Sequence, residues 1–505
     1  MEAGQPQNAF DYSERARAGV LSQAIQEAAA KTFAGIPDSL LRRDQAWRDQ
    51  ILAYETEIQK ARQKSSQRDS LKISNLESQY QPLLTAHHEL QKAFEQNYPR
   101  YYDLKYQTRA VAVADLQARL PDNAALLEYF VGDSALHIFV VSKTQFQAAS
   151  QPKDSSFIHL VNAFYQAVRK ADTPKYLTSA HALYKILLAP VAEHLTGKEK
   201  LIIIPHSILY KVPFEALLPT PASDNKKTAP VDYRKLDYLA RHFDLSYHYS
   251  ASLYARGLQQ KEQKISRHAF LGFAPVFRSN ETGGYTLASK DLPILREEND
   301  ESLRAIVVDG RKFSELQHSE DEVKSIVSFF AKKAPQEPSL GYFHGQATEQ
   351  NFKKACRNFR VVHVATHSFI NEEKPALSGI IFAQPTDSAA AEDGVLYAGE
   401  TYNLNLNADL VVLSSCESGL GKLIQGEGIM AMTRGFLYSG ASNLLFSLWK
   451  APDKPTRDLM VAFYRQMLEG KSYSQALRLA KRKMITNKAT AAPRLWSSFV
   501  LIGAE

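Results

Sequence analysis

Apolar positions at helical spacing dominate the first hundred residues. Trp47, Ile51, Tyr54 and Ile58 recur at steps of four, three and four, and Leu76, Tyr80, Leu83, His87, Leu90 and Phe94 repeat the pattern beyond the polar stretch KARQKSSQRDSLK. Such a stripe lines one face of a helix. The segment therefore predicts two long helices folded back as a hairpin, with Pro82 a kink or restart. His87 sits on the stripe, so it is expected to be packed rather than to bind a ligand, whereas His88 points away. Upstream, NAFDYSERARAGVLSQAIQEAAAKTF predicts another amphipathic helix. Helical repeats need about three copies to bury their faces. One candidate copy is present, and the expectation is a C-terminal part of a longer array.

The periodicity changes near Ala110. ALLEYFVGDSALHIFVVS predicts two strands around the turn Gly132-Asp133. KLIIIPHSILYKVPFEALL predicts a fully apolar strand and a turn, HALYKILLAPVAEHL a helix, and PTPASDNKKTAPVDY a loop. A second α/β region begins near HAFLGFAPVF and continues through FRVVHVATHS, SGIIFAQP, ADLVVLSSC and ASNLLFSLW. Continuous apolar strands alternating with helices predict a mostly parallel sheet covered on both faces. In such sheets functional residues gather beyond the C-terminal ends of the strands.

Composition narrows the class. A chain of 505 residues exceeds one ordinary core, and 44% hydrophobic with 23% charged residues suits a globular protein. No basic segment followed by an apolar core marks a secretory signal, and no apolar run approaches the ~20 residues that span a bilayer. Cys356 and Cys416 are the two cysteines. They make neither a disulfide framework nor a metal cluster, so a cytoplasmic setting and no cofactor are expected. The net charge of +7 comes from 61 basic residues interleaved with 54 acidic ones. Without basic blocks or aromatic-plus-basic modules, this is a solvated surface rather than a nucleic-acid interface.

Two strands deliver reactive side chains to the same edge. RVVHVATHS places His367 just past its strand, and DLVVLSSC places Cys416 just past its own. If those strands are parallel neighbours, the imidazole can deprotonate the thiol, and the thiolate is the nucleophile. The backbone N–H of Cys416 has no ladder partner beyond the strand and is a natural oxyanion donor. Ser414, Ser415, Glu417, Ser418, Gly419 and Gly421 make a polar turn around that cysteine rather than a packed wall. Cys356, in FKKACRNF, reads as a small core residue, and His363, in mid-strand, as a buried hydrogen-bond partner. GLGK at Gly419–Lys422 lacks the glycine and the Ser or Thr that a phosphate-binding loop requires.

VVHVATHS, ADLVVLSSCESGLG, GEGIMAMTRGFLYSGASNLLFSLWKAPDKPTRDLMVAFY and LWSSFVLIG, in this order, together resemble a CHAT domain. That family belongs with caspases and separases among the caspase-like cysteine peptidases. The resemblance runs from about Ala110 to the C-terminus and is dense from Val361. The preceding helices resemble the region after the tetratricopeptide repeats of TPR–CHAT proteins, Asn8 to Ile25 being similar to the last repeat's tail. The resemblance implies a catalytic dyad of His367 and Cys416. Cys416 lies 49 residues after His367, close to the roughly 50 that separate the pair in caspases, although the caspase signature around the cysteine is absent. It also implies that the earlier α/β region is a degenerate protease-like half. The residue after the histidine, whose N–H serves the oxyanion hole, is glycine in many members and Ser368 here. Serine keeps the N–H but resists a positive φ. Asp453, in SLWKAPDK, matches the separase aspartate that contacts a basic P1 side chain, with helix capping near Pro455 as its structural alternative. Glu427, in GEG, is given a supporting role at a helix first turn.

The expected architecture is an α/β caspase-like, mostly parallel sheet sandwiched by helices. It comprises a helical region (1–108), a degenerate protease-like half (109–265) and a catalytic domain (266–505). The expected activity is that of an intracellular cysteine endopeptidase cutting after a basic residue. A regulatory protein would bind its N-terminal helices, and no membrane is involved. The alternatives are a catalytically silent scaffold, and a protease subunit of an RNA-guided complex that meets nucleic acid only indirectly.

Overall fold

The computed structural model describes residues 6–28, scattered positions between 39 and 58, and 67–97, 110–222, 231–259, 268–275, 305–308, 311–314, 316–371, 377–384, 392–414 and 431–503. The chain divides into two compact units, Met1–Arg17 with Ala110–Glu505, and Ala18–Arg109. Helix α1 (Pro6–Ala28) gives its first part to the larger unit.

In the smaller unit, helix α2 (Gln67–Asn97) runs through Pro82 without interruption. Its stripe is the buried side: Leu90 is 8% exposed and Phe94 is fully buried. Tyr54 and Tyr80 meet edge to face, and the Tyr54 hydroxyl donates to Gln79, so the two predicted stripes are in contact. His87 is buried with its Nε2 3.0 Å from Oδ1 of the fully buried Asp44.

The larger unit is built on one eleven-stranded sheet. Its first block comprises β1 (Ala124–Val131), β2 (Ala135–Ser142), β3 (Phe146–Pro152), β4 (Lys200–Ile204) and β5 (Asp244–Tyr247). Its second comprises β6 (His268–Ala274), β7 (Ser339–Phe343), β8 (Phe359–Val364), β9 (Leu410–Leu413), β10 (Asn443–Ser447) and β11 (Phe499–Gly503). The spatial order is β3-β2-β1-β4-β5-β11-β10-β9-β8-β6-β7. β1 and β2 form the predicted hairpin, closed by the Gly132 N–H on the Ala135 carbonyl.

Strand direction reverses at β11. β1, β4 and β5 are mutually parallel, and β11 runs parallel to β5. β10 is antiparallel to β11, and β9, β8, β6 and β7 all follow β10. The two parallel blocks thus present their C-terminal ends on opposite edges of the same sheet.

Buried apolar strands explain why the sheet is covered twice. On β4, Leu201 and Ile203 enter a core with Phe157, Phe164 and Leu183 of helices α3 (Ser155–Lys170) and α4 (Thr173–Leu187). Ile202 and Ile204 face the other way, toward Phe10 of α1 and Tyr254 of α5 (Ala251–Gln259). Phe10, at 1% exposure, packs on Phe139 and Phe146 at 5.7 and 5.9 Å. Burying such a ring contributes about 1.5–3 kcal/mol. Helices α6 (Ser319–Lys333), α7 (Ala431–Tyr438) and α8 (Asp453–Leu468) belong to the second block, whereas α9 (Tyr473–Thr486) packs on β5 of the first. Among the described residues no helix is long and apolar enough to cross a membrane.

Candidate active site

β8 and β9 are parallel neighbours, with Val364 paired to Leu413. The Ser414 N–H donates to the Val364 carbonyl and the Ala365 N–H to that of Phe273, which carries the ladder to the sheet edge. Beyond it, His367 stands three residues past Val364, and Cys416 is three residues past Leu413 in the sequence. Cys416 and Glu427 lie outside the described residues.

The histidine exit is held by a small antiparallel sheet of Ser368–Phe369, Gly379–Ile381 and Val395–Tyr397. The Ile381 N–H donates to the His367 carbonyl at 2.9 Å, and the Thr366 hydroxyl to the Ile381 carbonyl at 2.6 Å. His367 is 1% exposed. Ser368 pairs with Ile380 in extended conformation and is not among the non-glycine residues with positive φ. A side chain therefore costs nothing in backbone strain at this position.

A small cavity of about 20 Å³ opens at the ends of these strands, walled by Ala365, Thr366, Ser414, Glu322, Asp453 and Thr456 among others. The buried Oγ atoms of Ser414 and Thr456 have no hydrogen-bond partner among the described residues. Orphaned polar atoms in a cavity wall are satisfied by whatever fills it. Asp453 is half-buried on the wall. It is the first residue of α8, whose N-cap is Pro452, so it does not cap its own helix. Its Oδ2 instead accepts from the backbone N–H of His318, ahead of α6, at 2.8 Å. Burial raises the Asp453 carboxyl above the usual carboxylate range, the His318 N–H opposes that, and nearby Glu322 adds to it.

Glu322 was not singled out by sequence reasoning. Its acidic neighbours in SEDEVKS are those of any helix first turn, and no signal separates it from them. In the structure it is 1% exposed, and its Oε1 lies 2.8 Å from Nε2 of the fully buried His363. His363 Nδ1 meets the Tyr464 hydroxyl at 3.1 Å. The mid-strand histidine is thus a buried hydrogen-bond partner, as its position suggests. Cys356 is buried at 1% exposure, and burial pushes its thiol up to about 12. A thiol so placed is inert at neutral pH.

The carboxylates of Glu349, Glu392 and Glu400 converge on the Lys353 ammonium, which stands 2.6, 2.6 and 2.9 Å from them. The lysine supplies the positive charge that this acidic cluster needs, so charge pairing accounts for it. Burial raises Glu349 to about 7.

On the opposite sheet edge, His206 and His248 follow β4 and β5, in a block that contains no cysteine. His206 Nδ1 accepts from the Val131 N–H, and its ring stacks on Phe130 at 4.8 Å. Burial pushes His206 down to about 3 and His248 to about 4, so both stay neutral. Protonation of His206 therefore favours the unfolded chain. The stability it contributes is complete above about pH 6.5 and is lost as pH falls toward its folded value. His206→Asn is expected to flatten the fall in melting temperature between about pH 6.5 and 4.5; melting curves across that range test it, and an unchanged slope would refute it.

Comparison with known proteins gives this geometry its family. The family model described as CHAT domain matches residues 177–504. Tetratricopeptide repeat protein 28 of Mus musculus is 26% identical over 360 residues, covering 64% of this chain, and its Homo sapiens counterpart is 25% identical over the same share. The match covers 13% of those relatives' own length. Among solved structures, the Saccharomyces cerevisiae separase–securin complex matches 90% of this chain and 37% of that one, at a TM-score of 0.41 and 10% identity. The Arg-specific cysteine proteinase gingipain R matches 69% of this chain and 73% of its own, at a TM-score of 0.37 and 9% identity. On the extent of the family match, the chain belongs to the CHAT-domain family.

Proposed function

We propose that the chain is a cysteine endopeptidase in which His367 and Cys416 form the dyad and Asp453 selects a basic P1 residue. One observation carries this reading: two adjacent parallel strands, paired at Val364 and Leu413, are followed at equal distance by the histidine and the cysteine. In the mechanism, His367 takes the Cys416 proton and the thiolate attacks the scissile carbonyl carbon, forming a C–S bond. The oxyanion is met by the backbone N–H groups of Ser368 and Cys416. Collapse breaks the C–N bond, His367 returns the proton to the leaving amine, and water hydrolyses the thioester. Glu427 is assigned a supporting role. The relatives are named for tetratricopeptide repeats, and this supports a protein partner on the N-terminal helices as regulator.

The polar wall of the cavity past Ala365 and Thr366 supports the basic preference. Asp453 and Glu322 supply negative charge on its wall, and Ser414 and Thr456 supply hydroxyl oxygens with no partner among the described residues. A guanidinium, with five donors and no acceptor, matches a wall of acceptors.

The test is a peptidyl electrophile with Arg at P1, compared with an Asp version, and adduct mapping by mass spectrometry. Faster labelling of Cys416 by the Arg probe supports the full reading. Preference for the Asp probe keeps the peptidase and removes the role of Asp453. A Cys416 that alkylates no faster than a model thiol points to the scaffold reading. Asp453→Asn is expected to slow labelling by the Arg probe roughly 10- to 100-fold, the value of one charge-assisted hydrogen bond. A small uncharged alkylating reagent serves as the control and should be unaffected. Because the Asp453 carboxyl is raised, the Arg preference is present above its folded value and declines as pH falls through it. A preference constant down to the ordinary carboxylate range would exclude Asp453 as its source.

A further inference from the structure

Helix α1 turns one face onto the sheet of the larger unit: Phe10, Ser13, Glu14 and Arg17, at helical spacing, are each 8% exposed or less. The Arg17 guanidinium donates to the carbonyls of Pro205 at 2.8 Å, Tyr249 at 3.3 Å and Tyr129. These carbonyls stand toward the C-terminal ends of β4, β5 and β1, three adjacent parallel strands. The crevice where such a sheet would hold a ligand is thus filled by the chain's own helix. Glu14 accepts from the N–H groups of Ala251 and Ser252 at 2.9 and 2.7 Å, and so caps α5.

The remaining member of the cluster is the fully buried Glu128 of β1. Its Oε1 accepts from the Ser13 hydroxyl and lies 3.3 Å from Arg17 Nε. Its Oε2 is buried and meets no donor among the described residues. Glu14 is a close neighbour, within hydrogen-bonding reach of Glu128. Two carboxylates form no hydrogen bond unless one of them carries a proton, and like charges so close do not both ionise. Two acids therefore face one guanidinium, most of whose donors go to carbonyls. With one proton added the buried charges cancel. Burial and the Glu14 charge both raise the Glu128 carboxyl well above its ordinary range, against the pull of Arg17.

We propose that Glu128 and Glu14 share one proton at neutral pH, and that this proton latches α1 to the end of the sheet. Glu128 carries it, because both Glu14 oxygens already accept from the start of α5. Loss of the proton leaves an uncompensated negative charge in a site sealed from water. Lifting the first part of α1 returns both carboxylates to solvent and relieves that charge. The carboxyl is raised when α1 is docked and ordinary when it is exposed. Docking is therefore strongest below the ordinary carboxylate range, weakens as pH rises above it, and levels off only above the docked value. The other groups around the cluster keep their charge between pH 7 and 9. Burial holds His206 and His248 neutral and raises the Tyr210 hydroxyl, and Arg434, beside the Tyr249 ring, is a guanidinium throughout.

The experiment is hydrogen exchange of the full chain between pH 7 and 9, read by mass spectrometry and corrected for intrinsic exchange. The reporters are residues 10–17 and the Ala251 and Ser252 amides, with α3 as the reference for opening of the whole unit. In the wild type, opening of α1 is expected to rise with pH by up to about ten-fold per pH unit, the limit for release of one proton. Glu128→Gln, whose amide is uncharged and can donate to Glu14, is expected to stay docked with an opening that does not change with pH. The infrared difference between wild type and Glu128→Gln at pH 7 should show the C=O stretch of one protonated carboxyl in the wild type. Wild-type opening that is flat or falls with pH would overturn the proposal. So would a Glu128→Gln slope equal to that of the wild type, or the absence of the protonated band. Should Glu128→Gln fail to fold, the wild-type slope alone decides. None of these readouts depends on the peptidase reading.

Discussion

Replacing His367 with alanine is expected to slow acylation of Cys416 by the arginyl electrophile roughly 10²–10⁴-fold, the range that a positioned acid–base group contributes. An ordinary thiol is only a few per cent thiolate at neutral pH, and an adjacent base raises that fraction and orients the proton. The variant should remain folded. What holds this exit is backbone pairing: the His367 carbonyl accepts from Ile381, and Ser368 pairs with Ile380. Neither contact uses the imidazole. Time-resolved adduct formation, with melting temperature measured on the same samples, checks the expectation. An unchanged labelling rate would mean that no imidazole activates Cys416 and would end the peptidase reading. His363→Ala is the informative contrast, because that ring is fully buried between Glu322 and Tyr464. Its loss acts first on stability.

The largest expected stability effect lies far from this chemistry. Lys481 of α9 is 1% exposed, and its ammonium donates to Glu215 Oε1 at 2.7 Å and to the Phe499 carbonyl at 2.6 Å. Glu215 Oε2 accepts from the Tyr247 hydroxyl at 2.6 Å, and that hydroxyl accepts from the Phe214 N–H. One ion pair therefore ties a helix to β5 and β11, the parallel pair next to the reversal between β11 and β10. Burial lowers the lysine, and Glu215 opposes that shift. Lys481→Met leaves a buried carboxylate without its partner, and a loss of about 3–5 kcal/mol is expected. Lys481→Met with Glu215→Leu should recover much of it, because the uncompensated charge is then gone. Denaturant melts of the two single variants and the double variant decide. Additive losses would show that the pair is not coupled.

The apolar runs were legible because strand identity is written locally. LVVL at β9 and KLIII at β4 have no polar alternation, and only strands covered on both faces tolerate that. The same continuity marked where each strand ends, and so placed His367 just past the end of β8. Asp453 shows the limit. From SLWKAPDK a cap for its own helix is the natural structural reading, yet its carboxylate accepts from His318, 135 residues earlier in the chain. Glu322 was invisible for a similar reason, since its partner His363 lies on a strand 41 residues away.

The order of strands along the chain and the chemistry at their ends are properties of the sequence itself. Helical and strand periodicities, and reactive side chains that follow apolar runs, depend on neighbours within a few residues. Strand direction at β11, the docking of Phe10, Ser13, Glu14 and Arg17 on one sheet edge, and the shared cavity wall of Glu322 and Asp453 were decided only by the tertiary structure. An apolar strand reads the same whether its neighbour runs parallel or antiparallel, and the reversal at β11 depends on which strands it finally lies between. A helix face of one aromatic, one hydroxyl and two charges looks solvent-facing until the carbonyls, amides and carboxylate that pair with it, more than a hundred residues away, are brought alongside.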